Sequence, residues 1–451
     1  MAASSERESF IPYTREELID LCIDDGRLTA DEVIQFRAFC ELLAAHANFR
    51  FHALLETLKS NYAPFDPDAV THPDRLEARR DQGKGEAIAS DIKEDRFVDT
   101  LRYTLECANY RELDDMAIHE AIENAALIDL RAEIDFDDFD HMVFYYRGAA
   151  PTALELTRYY FWKKKVETAV FDQVVLGIKF KDAGYFHGRK VKVEKLNFTP
   201  GLMYLYMYRN IPKYDLELLF PNVKLHMNLV DRLLFILPAL GAGISVIYKI
   251  SSSILLIVGL LILLLMGPAY LHWIGLHEEQ IQNYTPVLFA FFSLSVALGG
   301  FAVKQYFGYQ NRRMKYMKDV MDTLFFKNRA ANASVFHTVI DAAEEEETKE
   351  IILVYYHLLT HHAPLTPNAL DARIEAWLAE KDAPAVNFDI EHTMQQMQAL
   401  RATCPHHAGV AGMADELVLA RVDEQGCCHV LPLVDAKRLL DNVWDNAFQY
   451  A

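Results

Sequence analysis

Cysteine and histidine residues cluster in two short stretches of the C-terminal region, and side chains of these types can bind Zn²⁺. The candidate metal ligands are Cys404, His406, His407, Cys427, Cys428 and His429. The spacing within each stretch is not that of a standard zinc finger or ribbon. The favoured interpretation is therefore that these are ordinary loop and strand residues, and a zinc site is the alternative.

The most carboxylate-dense stretch is DFDDFDH, from Asp135 to His141. Clustered carboxylates can hold Mg²⁺ or Mn²⁺. This run has no glycine to form a tight turn and no motif that fixes the geometry of the ligands. It is predicted to be a solvated loop or a helix cap.

Catalytic motifs are not evident anywhere in the 451 residues. The chain has no nucleophile elbow, P-loop, dinucleotide fingerprint or metalloprotease helix. Its formal net charge of −19 argues against a general affinity for nucleic acid, which requires a basic surface. We therefore expect no catalytic residues and no cofactor. Whether the protein is an enzyme stays open at this point, and a protein without enzymatic activity is the favoured interpretation.

Three apolar blocks occupy residues 231–305. A helix needs roughly 20 apolar residues to cross a bilayer. The blocks at 254–274 and 286–303 meet or approach this length, which predicts a transmembrane helical hairpin. The block at 233–248 is short and broken, so it is predicted to be interfacial or re-entrant, with three full spans as the alternative.

Small and irregular residues within these blocks are candidates for helix packing or for lining a pore. They are Pro238, Gly241, Gly243, Lys249, Gly299 and Gly300.

Basic residues follow the last apolar block and predict the orientation of the hairpin, because basic flanks stay on the cytoplasmic side. They are Lys304, Arg312, Arg313, Lys315 and Lys318, and they are also positioned to contact anionic lipid. The N-terminus has no apolar signal segment. These features predict a multi-pass protein of the bacterial inner (plasma) membrane with both termini cytoplasmic.

The remaining sequence predicts an α+β fold that is mostly helical. Residues 1–165 are expected to form a helical domain, in which Thr29 and Glu32 form a capping box. Residues 166–230 are expected to form a small antiparallel sheet, with strands at 170–180, 190–198 and 202–208, and a short helix before the membrane. Residues 306–362 are predicted to form a basic helix followed by an acidic one.

The C-terminal residues 363–451 have the order helix, strand, helix, hairpin, helix, which predicts a winged-helix-like module. The helix that begins after Asp389 carries one arginine and no lysine. Protein docking is therefore a more natural role for this helix than reading DNA.

Several stretches resemble one family in the same order along the chain. They include FIPYTREELIDLC, YRNIPKYDLELLFP, GYQNRRMKYMKDVMDTLFFKN and VFHTVIDAAEEEETKEIILVYYHLL. Together they resemble the transmembrane-protein-143-like family, whose domain has no assigned function, and this chain looks like a bacterial member. The resemblance implies a membrane protein and provides no catalytic residues or cofactor.

These observations favour a membrane-anchored interaction or regulatory protein with cytoplasmic domains, whose partners are membrane lipid and other proteins. An oligomeric channel or transporter, built as a homo-oligomer, is the alternative. A metal-dependent membrane-associated enzyme is the second alternative.

Overall fold

The computed structural model shows an α+β protein. It describes residues 8–68, 84–113, 118, 130–158, 162–227, 324–361, 363–381, 383–405 and 414–446, with single positions between 292 and 321. Helices with a small antiparallel sheet were predicted, and this part of the fold class is confirmed. The chain divides into two compact units. One contains Met1–Ala125, Ile134–Val223 and Phe326–Ala451, and the other contains Ala126–Glu133 and Lys224–Phe325.

Eight α-helices lie in the described residues of the first unit. They are α1 (Arg15–Asp24), α2 (Ala30–Tyr62), α3 (Lys84–Cys107), α4 (Ala183–Gly188), α5 (Ala333–Thr360), α6 (Pro367–Glu380), α7 (Ile390–Ala399) and α8 (Leu433–Asn446). The predicted capping box of α2 is confirmed, because the Thr29 hydroxyl accepts from the Glu32 amide and the Glu32 carboxylate accepts from the Thr29 amide. Thr14 and Glu17 form the same arrangement at the start of α1.

The strands form one five-stranded sheet and three two-stranded pairs, all antiparallel. They are β1 (Arg111–Glu112), β2 (Leu130–Glu133), β3 (Phe139–Arg158), β4 (Trp162–Phe180), β5 (Met203–Pro212), β6 (Lys224–Met227), β7 (Asn328–Ala331), β8 (Arg401–Pro405), β9 (Ala414–Val418), β10 (Ala420–Val422) and β11 (Cys428–Val430). The five-stranded sheet has the order β1-β3-β4-β5-β7. The pair β2-β6 belongs to the second unit.

Two local predictions in the sheet region are wrong. The stretch before Lys165 was expected to be helical, but β3 pairs with β4 along almost its whole length. Residues 190–198 were expected to be a strand, but they contain a 3-10 turn, Val193–Lys195, next to α4. The strands predicted at 170–180 and 202–208 are confirmed within β4 and β5.

Helix α5 lies at the centre of the first unit. Its apolar residues belong to two hydrophobic clusters: one is shared with α1, α2 and the C-terminal helices, and the other with α3 and the sheet. The Phe39 ring of α2 stacks on Tyr355 of α5 at a centroid distance of 4.2 Å. A helix that is covered on all sides must also bury its polar residues, and this determines the site described below.

The C-terminal region has the helices at the predicted positions, in α6, α7 and α8. The hairpin was predicted to pair 416–422 with 428–433, and only its part next to the turn does so, in the β10-β11 pair, because β9 pairs with β8. Val386 was predicted to lie in a short strand, and it forms an isolated parallel bridge with Glu8. The N-terminal segment is thereby hydrogen-bonded to the C-terminal region of the same unit, through Glu8 N–H to the Ala385 carbonyl at 2.8 Å.

The prediction of a transmembrane hairpin is contradicted by one finding. Among the residues that the structure describes, no helix is both long and apolar enough to cross a membrane. α2 and α5 have 33 and 28 residues, but both carry many charged side chains. The predicted inner-membrane location and the membrane-anchored function depended on that hairpin, and they are corrected with it.

Most of the residues assigned to the membrane lie outside the described residues. These are the blocks at 233–248 and 254–274, most of 286–303, and Pro238, Gly241, Gly243, Lys249, Arg312, Arg313 and Lys315. Gly299, Gly300, Lys304 and Lys318 are described, and each is an exposed helical position of the second unit.

Candidate functional site

Little more than one turn of α5, from Glu346 to Glu350, contains the buried ionisable residues of the site. Glu346 is 1% exposed, Lys349 is 3% exposed, and Glu347 and Glu350 are also buried. Removing a charge from water costs several kcal/mol unless the charge is paired and hydrogen-bonded. Each of these side chains should therefore have a specific partner, and the partners come from distant parts of the chain.

Glu346 is the centre of this cluster. Its carboxylate accepts hydrogen bonds from Arg147 Nη2 at 3.0 Å, from Lys349 Nζ at 2.7 Å and from the Ile11 amide at 3.1 Å. One buried carboxylate thus balances two cations and also binds the backbone of the N-terminal segment.

Lys349 completes the attachment of the N-terminal segment. Its Nζ donates to the carbonyls of Ile11 at 2.8 Å and Tyr13 at 2.9 Å. The ammonium therefore has three acceptors, which are these two carbonyls and Glu346. Helix α5 binds residues 11–13 through both backbone donors and backbone acceptors.

The backbone around Arg147 fixes the position of this side chain. Arg147 lies in β3 next to Gly148, which has a φ of +69° and where a Cβ would lie 2.4 Å from Asp172 Oδ2. A residue with a side chain would therefore be strained there. The Arg147 guanidinium lies 4.5 Å from the centroid of the Phe10 ring and also donates to the Ala108 carbonyl at 3.3 Å.

Glu347 and Arg50 of α2 form a second buried ion pair, in direct contact through Oε1 and Nη2. Burial lowers the pKa of Arg50, but the charge and the hydrogen bond of Glu347 outweigh this effect, and the net shift is upward. The pair is therefore ionised and neutral overall.

Glu350 has no cationic partner among the described residues. Its Oε1 accepts from Asn109 Nδ2 at 2.8 Å, where Asn109 adopts a φ of 58° just after α3. Its Oε2 lies 3.3 Å from Thr393 Oγ1, which also lies 2.9 Å from the Asp389 carbonyl. The Thr393 hydroxyl has one proton, and it donates that proton to the Asp389 carbonyl, which can only accept. The hydroxyl can therefore only accept from Glu350, and this hydrogen bond forms when the Glu350 carboxyl is protonated.

The pKa of Glu350 agrees with this geometry. Burial raises it to about 8, and the negative charges of Glu346 and Glu347 add to the rise. Glu350 is therefore a neutral acid at pH 7, which explains how it lies beside two carboxylates without a cation of its own.

A cavity of about 390 Å³ lies against the cluster centred on Glu346, inside the first unit. One wall is the N-terminal segment from Phe10 to Thr14, and the others come from the sheet and α5. The charged side chains that line it are Arg147, Arg329, Asp341, Glu345, Glu346 and Lys349. The cavity therefore has cations and carboxylates in equal number.

A separate charged group lies between α3 and the sheet. Glu94, Asp140 and His141 each place a potential ligand atom within 4.8 Å of the others. Lys179 Nζ, however, lies 2.5 Å from Glu94 and 2.8 Å from Asp140, so an ammonium already supplies the positive charge that a metal ion would supply. Burial lowers the pKa of Lys179, but its hydrogen bonds to Asp140 and Glu94 outweigh this and raise it.

Replacing Lys179 with methionine is expected to lower the free energy of unfolding by about 3 kcal/mol, because the buried Glu94 carboxylate loses its main counter-charge. Urea unfolding followed by circular dichroism measures the loss. The control is Lys192→Met, which removes the same charge from an exposed position. Equal stability of the two variants would contradict this role of Lys179.

The first half of the acidic run forms a helix cap, which is one of the two forms expected, whereas Phe139 to His141 lie in β3. Asp135 caps a 3-10 turn, Phe136–Asp138, by accepting from the Asp137 amide. Arg189 pairs with Asp135 at 2.6 Å and lies 3.5 Å from Asp137 and from Asp138. The arginine neutralises part of the run, so this stretch is an exposed ion-pair network.

The predicted cysteine and histidine ligands are described only in part. His406, His407 and the side chain of Cys404 lie outside the described residues. Cys428 is buried in β11, Cys427 is half-buried, and exposed His429 pairs with Asp423 at 2.8 Å. A zinc site here stays a prediction.

The residues around Glu346 were missed, since EEEETKE alone is typical of a solvated face. The signal was the apolar sequence on both sides of it, VFHTVIDAA and IILVYYHLL, which indicates a helix covered all round.

The comparison with protein families gives one match. Residues 171–334 match DUF3754, a family of proteins of unknown function. The DUF3754 match covers less than half of the chain. It contains two cavity residues, Gln173 and Arg329, whereas Arg147, Glu346 and Lys349 lie outside it. No solved structure matches the chain.

Proposed function

We propose that this protein binds a small zwitterion of the amino-acid type in the cavity next to Glu346. The observation that carries the proposal is the charge arrangement of the wall. Arg147, Glu346 and Lys349 satisfy one another, whereas Arg329 and Asp341 are exposed and form no ion pair with any residue in the part of the chain that the structure describes.

The chemistry of these two side chains is complementary to a zwitterion. A guanidinium binds a carboxylate through two parallel hydrogen bonds, so Arg329 is assigned to the carboxylate of the ligand. Asp341 is assigned to its ammonium group. A volume of about 390 Å³ lies in the range of small-molecule sites.

The N-terminal segment gives the site a wall that responds to the ligand. Residues 10–14 line the cavity, and they are bound to α5 through Glu346 and Lys349. A ligand that binds the folded protein stabilises it by mass action. Occupation of the cavity is therefore coupled to the order of this segment.

Isothermal titration calorimetry of the full chain tests the proposal, with glycine, glutamate, arginine and glycine betaine as probes. Propionate and propylammonium carry only one of the two charges and are expected to bind at least about tenfold more weakly than the best zwitterion. Arg329→Ala and Asp341→Asn are each expected to weaken the binding of the best zwitterion by about tenfold.

The matched control is Arg96→Ala, which removes an exposed arginine of α3 that does not line the cavity. This variant should bind like the original chain. Absence of binding by every zwitterion would overturn the proposal, and so would equal binding by Arg329→Ala, Asp341→Asn and the control.

We also infer that the resemblance to the transmembrane-protein-143-like family extends beyond the DUF3754 match. The support is that YRNIPKYDLELLFP lies within residues 171–334, whereas FIPYTREELIDLC and the whole of VFHTVIDAAEEEETKEIILVYYHLL lie outside them. An alignment of that family tests the inference, since it should contain Arg147, Glu346 and Lys349 together.

A further inference from the structure

A second cavity, of about 190 Å³, lies on the other side of α5, against the ion pair of Glu347 and Arg50. Its wall comes from α2, α5, α7, the start of β8, and α8, all in the first unit. Apolar side chains form part of it, including Leu43, Ile351 and Val443.

Apart from Arg50 Nη2, which contacts Glu347 Oε1, four polar atoms of this wall are buried and lack a hydrogen-bond partner within the described chain. They are Arg50 Nε, Glu347 Oε2, Thr348 Oγ1 and Gln396 Oε1. Thr348 is 0% exposed and Glu347 is 3% exposed. An unsatisfied buried polar atom costs about 1–3 kcal/mol, so four around one cavity indicate that something polar occupies it.

The types of these atoms define the occupant. Arg50 Nε offers a proton and requires an acceptor, whereas Glu347 Oε2 and Gln396 Oε1 require donors. Thr348 Oγ1 can serve either way. Because Arg50 and Glu347 neutralise each other, the pair does not call for a charged ligand.

His46 also lines the cavity and adds no charge. Burial and the neighbouring Arg50 lower its pKa, so the ring is neutral at pH 7. Arg401 also lines the cavity, and this residue is exposed.

We propose that this cavity is a binding site for a small neutral amide or urea, with its carbonyl on Arg50 and its N–H groups on Glu347 and Gln396. Such a group combines one acceptor with two or more donors, as the four atoms require. A short alkyl chain would pack against Leu43, Ile351 and Val443. The site is separate from the cavity next to Glu346 and does not depend on the zwitterion proposal.

Saturation-transfer NMR on the full chain tests this site, with propionamide and methylurea as probes. Propionate and propylammonium are the matched charged controls. The two neutral probes are expected to receive saturation, and the two charged ones are expected to receive at least about fivefold less.

Two variants locate the binding. Thr348→Val keeps the shape of the side chain and removes a hydroxyl without a partner. This variant is expected to fold and to have a higher melting temperature. Its binding of the amide is expected to be about fivefold weaker. Gln396→Met, on half-buried Gln396, is a second variant with the same expected loss of binding. The control is Thr338→Val, which lies on α5 but lines the other cavity.

Amide binding that both variants weaken and the control leaves unchanged supports the proposal. Absence of saturation transfer to either neutral probe would overturn it, and the four atoms would then be hydrated by about six waters, given the volume of liquid water per molecule. Equal binding by all variants would also overturn it.

Discussion

Replacing Glu346 with glutamine is expected to lower the free energy of unfolding by about 4 kcal/mol, which is the largest loss that we predict for a single substitution. The carboxylate balances Arg147 and Lys349, and both cations are largely buried. Glutamine has nearly the same shape but no charge, so the two cations would lie together without a counter-charge.

The same substitution should release the N-terminal segment. The Ile11 amide loses a charged acceptor, and Lys349 is repelled by Arg147. Amide hydrogen exchange is expected to become faster in residues 8–14 than in α8. Guanidinium unfolding measures the global loss, and Glu391→Gln, at an exposed position of α7, is the control. A loss below about 1 kcal/mol for Glu346→Gln would contradict a buried ionic centre.

Replacing Glu350 with glutamine is expected to stabilise the protein at alkaline pH and to leave its stability almost unchanged at pH 4. The fold raises the pKa of Glu350 from 4.5 to about 8. Protonated Glu350 therefore stabilises the folded state, and this stabilisation is fully present below pH 4.5 and is lost as the pH rises through about 8. Each pKa unit corresponds to about 1.4 kcal/mol, so the total loss is up to about 5 kcal/mol.

Glutamine avoids this loss because it is a neutral analogue of the protonated acid. Its carbonyl can accept from Asn109 and its amide can donate to Thr393, in place of the two bonds of Glu350. Unfolding free energies at pH 4, 6, 8 and 9 measure the difference, with Glu391→Gln as the control for charge removal. A difference that stays constant with pH would contradict a raised pKa at Glu350.

The sequence predicted correctly those helices and strands that are defined by their own residues and not by a distant partner. The capping box of α2, helix α5, the strand at 170–180 and the C-terminal hairpin follow from caps, periodicity and turn residues, and the structure contains them. Strand β3 was missed because its sequence does not alternate cleanly. It is a strand because its neighbour β4 pairs with it, and local sequence does not reveal that partner.

The candidate site could not be predicted because its partners are far apart in sequence. Glu346 is 335 residues from Ile11 and 199 from Arg147. Alone, each of these charged residues looks like a solvated surface residue. The cap at Asp135 was interpreted correctly because its hydrogen bond to the Asp137 amide is local, whereas the distant partners of the run, which include Arg189 and Lys179, were not foreseen.

The membrane prediction failed in a different way. It relied on apolar length and on the basic residues after residue 303, whereas the long helices in the described part of the chain, α2 and α5, carry their apolar residues in the core of the first unit. These helices are not the predicted spans, so the apolar length seen in the sequence does not correspond to a long apolar helix among the described residues.

Hydrogen exchange with the best zwitterion of the calorimetric panel tests the central claim most directly, because it locates the ligand. We expect the zwitterion to slow exchange in residues 8–14 and 338–349, which surround the cavity next to Glu346, and to leave α8 unchanged. Protection that is absent, or that falls elsewhere on the chain, would contradict the account.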